Sequence, residues 1–411
     1  MKILVVAGYC LRVNSSANLC HLSYINGLLD CGHEVDLLTV SEKNQIIDPG
    51  IKLPAVRNRF EYDASWYEQM GNRRRGTAPA SAPAAAPAPA ADSGRRSFRS
   101  TLKAKLRAAY GPHRMSIVWY HRAKCFRSTE RYDLVISLSD PPVSHKLVAW
   151  LLRRNRLLAD RWIQIWEDPW GADINGYTTL DAIRKEEISI LSSAQEILYV
   201  SPLTLMYQQQ AFPEFAEKMS WMPLPSYYQS DLIEQDLSHL SFGYFGDYTS
   251  HVRDLKPFYD AAVELGLEAV ICGNSDAPFP SADGIRVYPR MPLGELKVHE
   301  DRTNALIFLC NRRGGQIPGK IYQYAATNKL VLFIMDGTPE EKAVLRDYFA
   351  GFDRFVFCEN DKASIMAALR DLQARPIRPA LHTPLTRFEP KQIITEIIEG
   401  VRRLKRAPSV F

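Results

Sequence analysis

Lys320 and Arg253 are the two residues whose placement asks for a chemical explanation. Lys320 lies in Gln316-Ile-Pro-Gly-Lys-Ile-Tyr-Gln-Tyr-Ala-Ala-Thr-Asn-Lys-Leu-Val-Leu-Phe-Ile-Met335. Pro318 suits a helix's first turn, Asn328 suits a left-handed residue closing it, and Leu330–Met335 reads as a buried strand. Ile317, Ile321 and Ala325, four apart, can face the core. A lysine in the first turn opposes the helix dipole, so it is either a surface lysine beside an acid or part of an anion site on the free N–H groups. Arg253 ends Phe242-Gly-Tyr-Phe-Gly-Asp-Tyr-Thr-Ser-His-Val-Arg253, a strand, a turn opening at Gly246, and the approach to a helix from Asp254. Its guanidinium offers a bidentate fork where Lys320 offers a point charge. A surface ion pair would explain Arg253 alone. Two such strand–turn–helix units together suit a diphosphate held without a metal.

The elements that must position these cations belong to a chain of 411 residues, long for one core, so two domains are expected. Its hydrophobic and charged fractions are those of a soluble globular protein. No apolar run approaches the roughly 18–20 residues of a membrane span, and Met1-Lys-Ile-Leu-Val-Val-Ala-Gly8 is too short for a signal peptide. The seven cysteines show neither C-x-x-C nor a zinc spacing, which predicts reduced core thiols of a cytoplasmic protein. The net charge of +5 is unevenly placed, with fourteen Lys/Arg between Arg73 and Arg131 against Asp92 and Glu130. Such a block is a solvated face, a disordered arm, or a contact for an anionic membrane surface or acidic polymer. No motif for nucleic acid accompanies it, and none is expected as a partner.

Lys2–Ala7 is a buried parallel strand, residues 8–18 a polar turn, 19–31 a helix ended by Gly32, and Glu34–Val40 a second strand. This βαβ opening sets a parallel sheet. Without G-x-G-x-x-G in its turn, no dinucleotide is indicated. Residues 46–69 read as irregular and 77–91 as an Ala/Pro-rich loop that cannot bury a core. Helices over 100–110 and 117–126 lead to strands at 132–138, 162–166 and 196–200, with helices over 144–154 and 180–192 and a cap at Ser201. Met222-Pro-Leu-Pro225 marks a hinge. The pattern then restarts with strands at 242–245, Glu268–Cys272, Ile285–Tyr288, Ala305–Leu309, 331–335 and 354–357, and closes with an amphipathic helix over 390–405. Two α/β halves leave a cleft, with ligands at the carboxyl ends of the strands. The division is residues 1–224, with a disordered basic insertion near 70–110, then 225–390 and a terminal helix over 391–411.

The chain resembles the family 4-type glycosyltransferases of the GT-B fold, in which two Rossmann-like domains face each other across a cleft. The landmarks are Lys2-Ile-Leu-Val-Val-Ala-Gly8 with Gly32-His-Glu-Val-Asp-Leu-Leu-Thr39, Tyr132-Asp-Leu-Val-Ile-Ser-Leu-Ser-Asp-Pro-Pro-Val-Ser-His145, Trp162-Ile-Gln-Ile-Trp-Glu-Asp-Pro-Trp170, Ala194-Gln-Glu-Ile-Leu-Tyr-Val-Ser201 and Pro318-Gly-Lys-Ile-Tyr-Gln-Tyr324. They occur in the family's order and are closest to members that build bacterial surface polysaccharides. The resemblance implies transfer of a sugar from a nucleotide diphosphate sugar, with retention, with no cofactor and no required metal. The donor would lie in the second half and a lipid-linked or glycan acceptor against the first, with the enzyme cytoplasmic or peripheral on the inner membrane face.

By position, Gly246, Arg253, Pro318 and Lys320 match the family's donor-diphosphate site. Gln323 stands where a glutamate usually binds the ribose hydroxyls, and an amide can still accept from one hydroxyl and donate to another. The family's other glutamate falls on Gly315, where backbone N–H groups of Gly314 and Gly315 could substitute. Glu167 and Asp168 stand where relatives carry a histidine or acid beside the reacting sugar, and a carboxylate there could orient an acceptor hydroxyl or meet developing charge. The alternative for Asp168 is a turn cap before Pro169. Asp140 reads as a turn residue, His145 as a packing or capping histidine, and Trp166 as core. Trp170 also reads as core, though of the two it is the one expected to line the acceptor side of the cleft, and Gly8 is expected to let a ligand approach the first turn. Two other readings stand: a non-catalytic GT-B-fold partner, favoured by Gln323 and Gly315, and a sugar-nucleotide epimerase.

Overall fold

The computed structural model describes residues 1–64, 113, 116–171, 180–227, 240–313, 315–352, 354–374 and 384–400. The Ala/Pro-rich stretch, the helix expected over 100–110 and Gly314 lie outside them, as does most of the basic block. The first half begins with β1 (Lys2–Ala7), α1 (Ser16–Asp30), β2 (Glu34–Val40), β3 (Asn58–Tyr62) and α2 (Ile117–Ala123). It continues with β4 (Arg131–Leu138), α3 (Val143–Arg153), β5 (Leu158–Trp166), α4 (Leu180–Ser193), β6 (Glu196–Tyr199), α5 (Pro202–Ala211) and β7 (Met219–Trp221). These strands form a seven-stranded sheet in the order β3-β2-β1-β4-β5-β6-β7.

The second half runs β8 (Ser241–Phe245), α6 (Lys256–Glu264), β9 (Glu268–Cys272), β10 (Ile285–Tyr288), α7 (Leu293–Arg302), β11 (Ala305–Leu309), α8 (Lys320–Ala325), β12 (Leu330–Met335), α9 (Pro339–Ala350), β13 (Phe355–Glu359) and α10 (Lys362–Ala374). Its six-stranded sheet has the order β10-β9-β8-β11-β12-β13. Every strand pair in both sheets is parallel. The central strands are largely apolar because helices cover both faces: β11 and β8 are buried at every residue. A last helix, α11 (Pro390–Glu399), returns to the first half and packs against α1 through Ile393, Ile394 and Ile397.

Several local expectations change. Residues 46–69, read as irregular, contain β3, an edge strand too polar to show a strand pattern. Helix α1 begins at Ser16, because the Ser15 hydroxyl accepts from the Asn18 amide and the Asn18 side chain donates to the Cys10 and Val13 carbonyls. Helix α11 stops at Glu399, where Gly400 turns left-handed.

The expected helix from Pro318 to Asn328 is only α8, six residues long, and Asn328 is not left-handed. The physical reason is Arg354. Its buried guanidinium donates to the carbonyls of Tyr324, Ala325 and Thr327, satisfying the helix end that a left-handed cap would otherwise close. Arg354 therefore belongs to a turn, and the strand read from 354 starts at Phe355. Lys329 does the same for α7: fully buried, its ammonium donates to the carbonyls of Glu300, Asp301 and Thr303. Replacing it, Lys329→Met, takes the ammonium from all three, and while the Glu300 carbonyl keeps the Thr303 N–H and hydroxyl, those of Asp301 and Thr303 lose a charge-assisted bond. A loss on the order of 3 kcal/mol is expected in urea denaturation, since hydrogen bonds to a charged group contribute about 1.5–3 kcal/mol each.

Candidate functional site

The carboxyl ends of the two sheets face each other across a cleft of about 380 Å³. Its second-half wall is built from residues that directly follow strands: Gly246 after β8, Gly273 after β9, Arg290 after β10 and Asn311 after β11, joined by Arg253 and Pro318–Lys320. Its first-half wall includes Asn14, Cys20, Glu167 and Asp168. Glycine is needed at 273, where a Cβ would fall 1.9 Å from the Gly246 carbonyl oxygen. At Gly246 nothing lies closer than 3.7 Å to such a Cβ, so that glycine leaves open space toward the cleft.

Arg253 donates from Nε to Asn311 Oδ1 at 2.7 Å and from Nη1 to the Asp247 carbonyl at 3.1 Å. Both acceptors are neutral, and among the described residues no carboxylate lies within ion-pair distance of Arg253. The Asn311 side-chain nitrogen holds the Gln316 carbonyl at 3.2 Å, and Gln316 Nε2 donates across the cleft to Asp168 Oδ1 at 2.6 Å. Lys320 Nζ lies 4.0 Å from Glu300 Oε2. Burial pushes its pKa below the ordinary lysine value; Glu300 opposes that, Arg290 adds to it, and the Cys272 thiol opposes it weakly. Arg290 pairs with Asp247 at 3.7 Å.

On the opposite wall Glu167 is nearly buried, with its backbone N–H on Ser139 Oγ at 2.9 Å. Behind it stands His21, fully buried, with Nε2 2.7 Å from the Ser139 carbonyl and 3.2 Å from Glu167 Oε1. A carbonyl only accepts, so Nε2 carries a proton. Burial pushes the Glu167 pKa up, Asp140 adding to this and His21 opposing it. For His21, burial lowers the pKa, but Glu167, the Ser139 carbonyl and Asp140 outweigh it and hold it above the ordinary value. Both pKa values thus lie above their ordinary ones in a pair that meets at 3.2 Å on the cleft floor.

Several expected residues sit elsewhere. Trp170 takes its core reading rather than its cleft-lining one: it is buried beside His113 with ring centres 4.6 Å apart, because its side chain turns into the α4 layer. Gly8 packs against Pro141, where a Cβ would come within 2.9 Å, so its smallness serves the interior. Gly315 has a φ of +70° and would place a Cβ 2.9 Å from Tyr207; its carbonyl accepts from Ser201 Oγ at 2.7 Å. That contact fixes the loop to the start of α5 in the other half. Gln323 is buried, is not part of the cleft wall, and its Oε1 has no hydrogen-bond partner among the described residues. His145 packs on Trp166 and bonds Ser137 Oγ at 2.7 Å, and Trp166 is fully buried. Missed altogether were His21, Glu300, Asn311 and Arg290. Arg290 and Asn311, each two residues beyond a strand end, carried a positional signal.

No protein-family model matches the chain, and no curated protein matches it in sequence. Among solved structures it is similar to sucrose-phosphate synthase from Thermosynechococcus elongatus, at 12% identity and a TM-score of 0.59, over 97% of this chain and 98% of that one. It is also similar to the apo form of the lipopolysaccharide outer core galactosyltransferase WaaB, at 11% identity and a TM-score of 0.51, over 98% and 99%. At such identities the likeness speaks for the fold. The chain has two Rossmann-like domains in the GT-B arrangement.

The turn that follows Glu167 and Asp168 depends on a buried acid. Glu187 Oε2 accepts from the Gly171 N–H at 3.3 Å, and burial raises its pKa to about 7, with Gly171, Arg184 and Trp170 opposing. A raised folded-state pKa means that its stabilisation is complete below the unfolded value of 4.5 and is lost as pH climbs through about 7. Glu187→Gln is therefore expected to match the wild type at pH 4–5 and to exceed it at pH 8. The gain should be about 3 kcal/mol in urea denaturation, at 1.36 kcal/mol per pKa unit.

Proposed function

We propose that the protein is a glycosyltransferase that takes a sugar from a nucleotide diphosphate sugar and passes it to a hydroxyl of a lipid-linked or glycan acceptor. One observation carries this reading. Arg253, without a carboxylate partner among the described residues, and Lys320 share one wall of the interdomain cleft, and the carboxylate of Glu167 stands on the other. The cations suit a diphosphate, whose charge grows as the bond from the anomeric carbon to the leaving oxygen breaks. Their supply of charge supports a reaction without a required metal. Glu167 and Asp168 would orient the incoming hydroxyl or meet positive charge at the sugar. Retention at the anomeric carbon, implied by the family resemblance, belongs to the same proposal. The sugar released on slow donor hydrolysis tests it by NMR.

The fold supports this reading, since one similar structure is by name a galactosyltransferase of the lipopolysaccharide outer core. No helix among the described residues is long and apolar enough to cross a membrane. We place the lipid-linked acceptor at an anionic membrane surface reached through the basic block from Arg73 to Arg131. Neutralising its lysines and arginines up to Arg107 should abolish retention on anionic vesicles, and unchanged retention would remove the membrane from the proposal.

The donor site is tested by calorimetry against UDP-, GDP- and dTDP-sugars, with thermal shift as the screen. A ligand at about a hundred times its dissociation constant adds about 2.7 kcal/mol of stability. Arg253→Ala is the cleaner variant because its present partners are neutral, so no buried charge is stranded. It should weaken the bound donor about 10- to 150-fold, the equivalent of roughly 1.5–3 kcal/mol for a charge-assisted hydrogen bond. Equal affinity in the variant would refute the assignment. The burial of Gln323 away from the cleft favours one second reading, a GT-B-fold partner that binds sugar nucleotides without turnover. Donor binding with no hydrolysis and no transfer would establish that one instead.

A further inference from the structure

Glu300 is the least explained charge in the molecule. It is 1% exposed, and neither carboxylate oxygen has a hydrogen-bond partner among the described residues. A buried carboxylate with no hydrogen bonds is costly unless another charge compensates it. Its side chain is not an accident of a loose surface helix. Leu293, Leu296 and Glu300 fall at i, i+3 and i+7 on α7, on one face, and the first two line the cleft. The helix end that carries Glu300 is clamped by Lys329, whose ammonium takes the Glu300, Asp301 and Thr303 carbonyls. Those bonds place the Glu300 backbone, and the carboxylate then meets Lys320 Nζ at 4.0 Å.

We infer that Glu300 is a positioning residue for the donor site, holding the Lys320 ammonium charged and aimed at the place where the donor diphosphate binds. The inference rests on the donor reading of the cleft. A lysine drawn out of water tends to lose its proton, and neutral lysine contributes nothing to a diphosphate. The groups facing Lys320 are few: Glu300 from α7, Arg290 from the segment after β10, the Cys272 thiol at the end of β9, and the Tyr324 ring on its own helix with its centre 6.0 Å away. Of these, Arg290 disfavours the ammonium, and Glu300 is the carboxylate that favours it. Around Glu300 itself stand Lys329, Lys297 and Asp301; Lys297 bonds Asp301, and Lys329 is engaged with carbonyls. The 4.0 Å separation also matters. It is an ion-pair distance without a tight hydrogen bond, so the ammonium can turn toward an arriving phosphate oxygen while keeping its counter-charge behind it.

The test follows UDP affinity by calorimetry at pH 7 and pH 9, every variant being read against the wild type at the same pH so that ionisation of the terminal phosphate and of the uracil N3–H cancels. Wild type and Glu300→Gln are compared, each checked for folding by circular dichroism. The wild type sets the baseline. Between pH 7 and pH 9 Glu300→Gln should lose affinity relative to that baseline, by a factor approaching ten for each unit by which the pH exceeds its Lys320 pKa. Glu300→Gln combined with Lys320→Arg should follow the baseline again, because a guanidinium does not deprotonate in this range. A merely structural role for Glu300 would weaken binding equally at both pH values and would not be rescued by arginine. That result overturns the inference while leaving the donor site standing. If the wild type binds UDP, GDP and dTDP at neither pH, the donor reading fails and the inference with it. Should Glu300→Gln not fold, Glu300→Asp decides. Its shorter arm moves the charge away from Lys320, so its affinity must fall more at pH 9 than the wild type's, and identical profiles overturn the inference.

Discussion

The second half of the molecule depends on how the ends of two short helices are satisfied. Helix α7 ends on the buried ammonium of Lys329 and α8 ends on the buried guanidinium of Arg354. Lys329 directly precedes β12 and Arg354 directly precedes β13, and each replaces the glycine or asparagine that closes many helices. The choice has consequences. A backbone cap can form anywhere, but a side chain arriving from the start of a strand further along the chain fixes the helix end relative to the sheet. Lys320, at the first residue of α8, and Glu300, in the last turn of α7, are thereby brought to a set distance. The wall that carries the cations of the cleft is in this way fixed by side-chain as well as backbone bonds, and preorganisation of this kind suits a site for a charged ligand.

The other wall is tied to it at several points. Asp48 of the first half takes the Leu293 N–H at the start of α7 with one oxygen, which also accepts from Asn14, while its other oxygen takes the Gly50 N–H. Gln316 reaches Asp168, Gly315 is held by Ser201, and Tyr207 donates to Glu341 at 3.0 Å. Apolar packing is continuous across the junction, from Leu203, Met222 and Leu224 to Ile317, Ile321 and Tyr322. Gly315 shows how these ties constrain the site. Its position, where the resemblance to the family 4-type pattern would place a glutamate, is packed under Leu203 and Tyr207 with a left-handed backbone, so a larger side chain has no room. Its absence follows from the contact between the halves.

The sheets were legible in the sequence because a strand covered on both faces is apolar throughout, and β1, β2, β9, β10 and β11 have the expected bounds. The polar edge strand β3 escaped for the complementary reason. Helix ends were read poorly wherever the cap is distant in sequence: nothing near Asn328 announces that Arg354 will satisfy the carbonyls before it. The site divides the same way. Arg253, Lys320, Glu167 and Asp168 follow strands in local patterns, and all four reach the cleft. Trp170 could be core or cleft by its sequence, since a side chain just past a strand end can turn either way, and it joins the α4 layer. His21 and Glu300 sit mid-helix and at a helix end, and only the fold brings them to Glu167 and Lys320.

Charge balance around the cleft explains why Gln323 is an amide. On the second-half wall Arg290 pairs with Asp247 and Lys320 with Glu300, while Arg253 is held by neutral acceptors, so the wall keeps a surplus of positive charge. Gln323 lies one helical turn from Lys320, on the same side of α8. A glutamate there would be a second buried carboxylate competing with Glu300 for the one ammonium. Either that ammonium would be drawn away from Glu300, or one acid would have to take up a proton. With the amide, Glu300 remains the carboxylate paired with Lys320, and the surplus at Arg253 is left for a ligand. The same reasoning separates the two walls: negative Glu167 is balanced from behind by His21, whereas the cationic wall is balanced only in part. The cleft is therefore polarised from one side to the other, which suits a ligand that carries its negative charge at one end and reacts at the other.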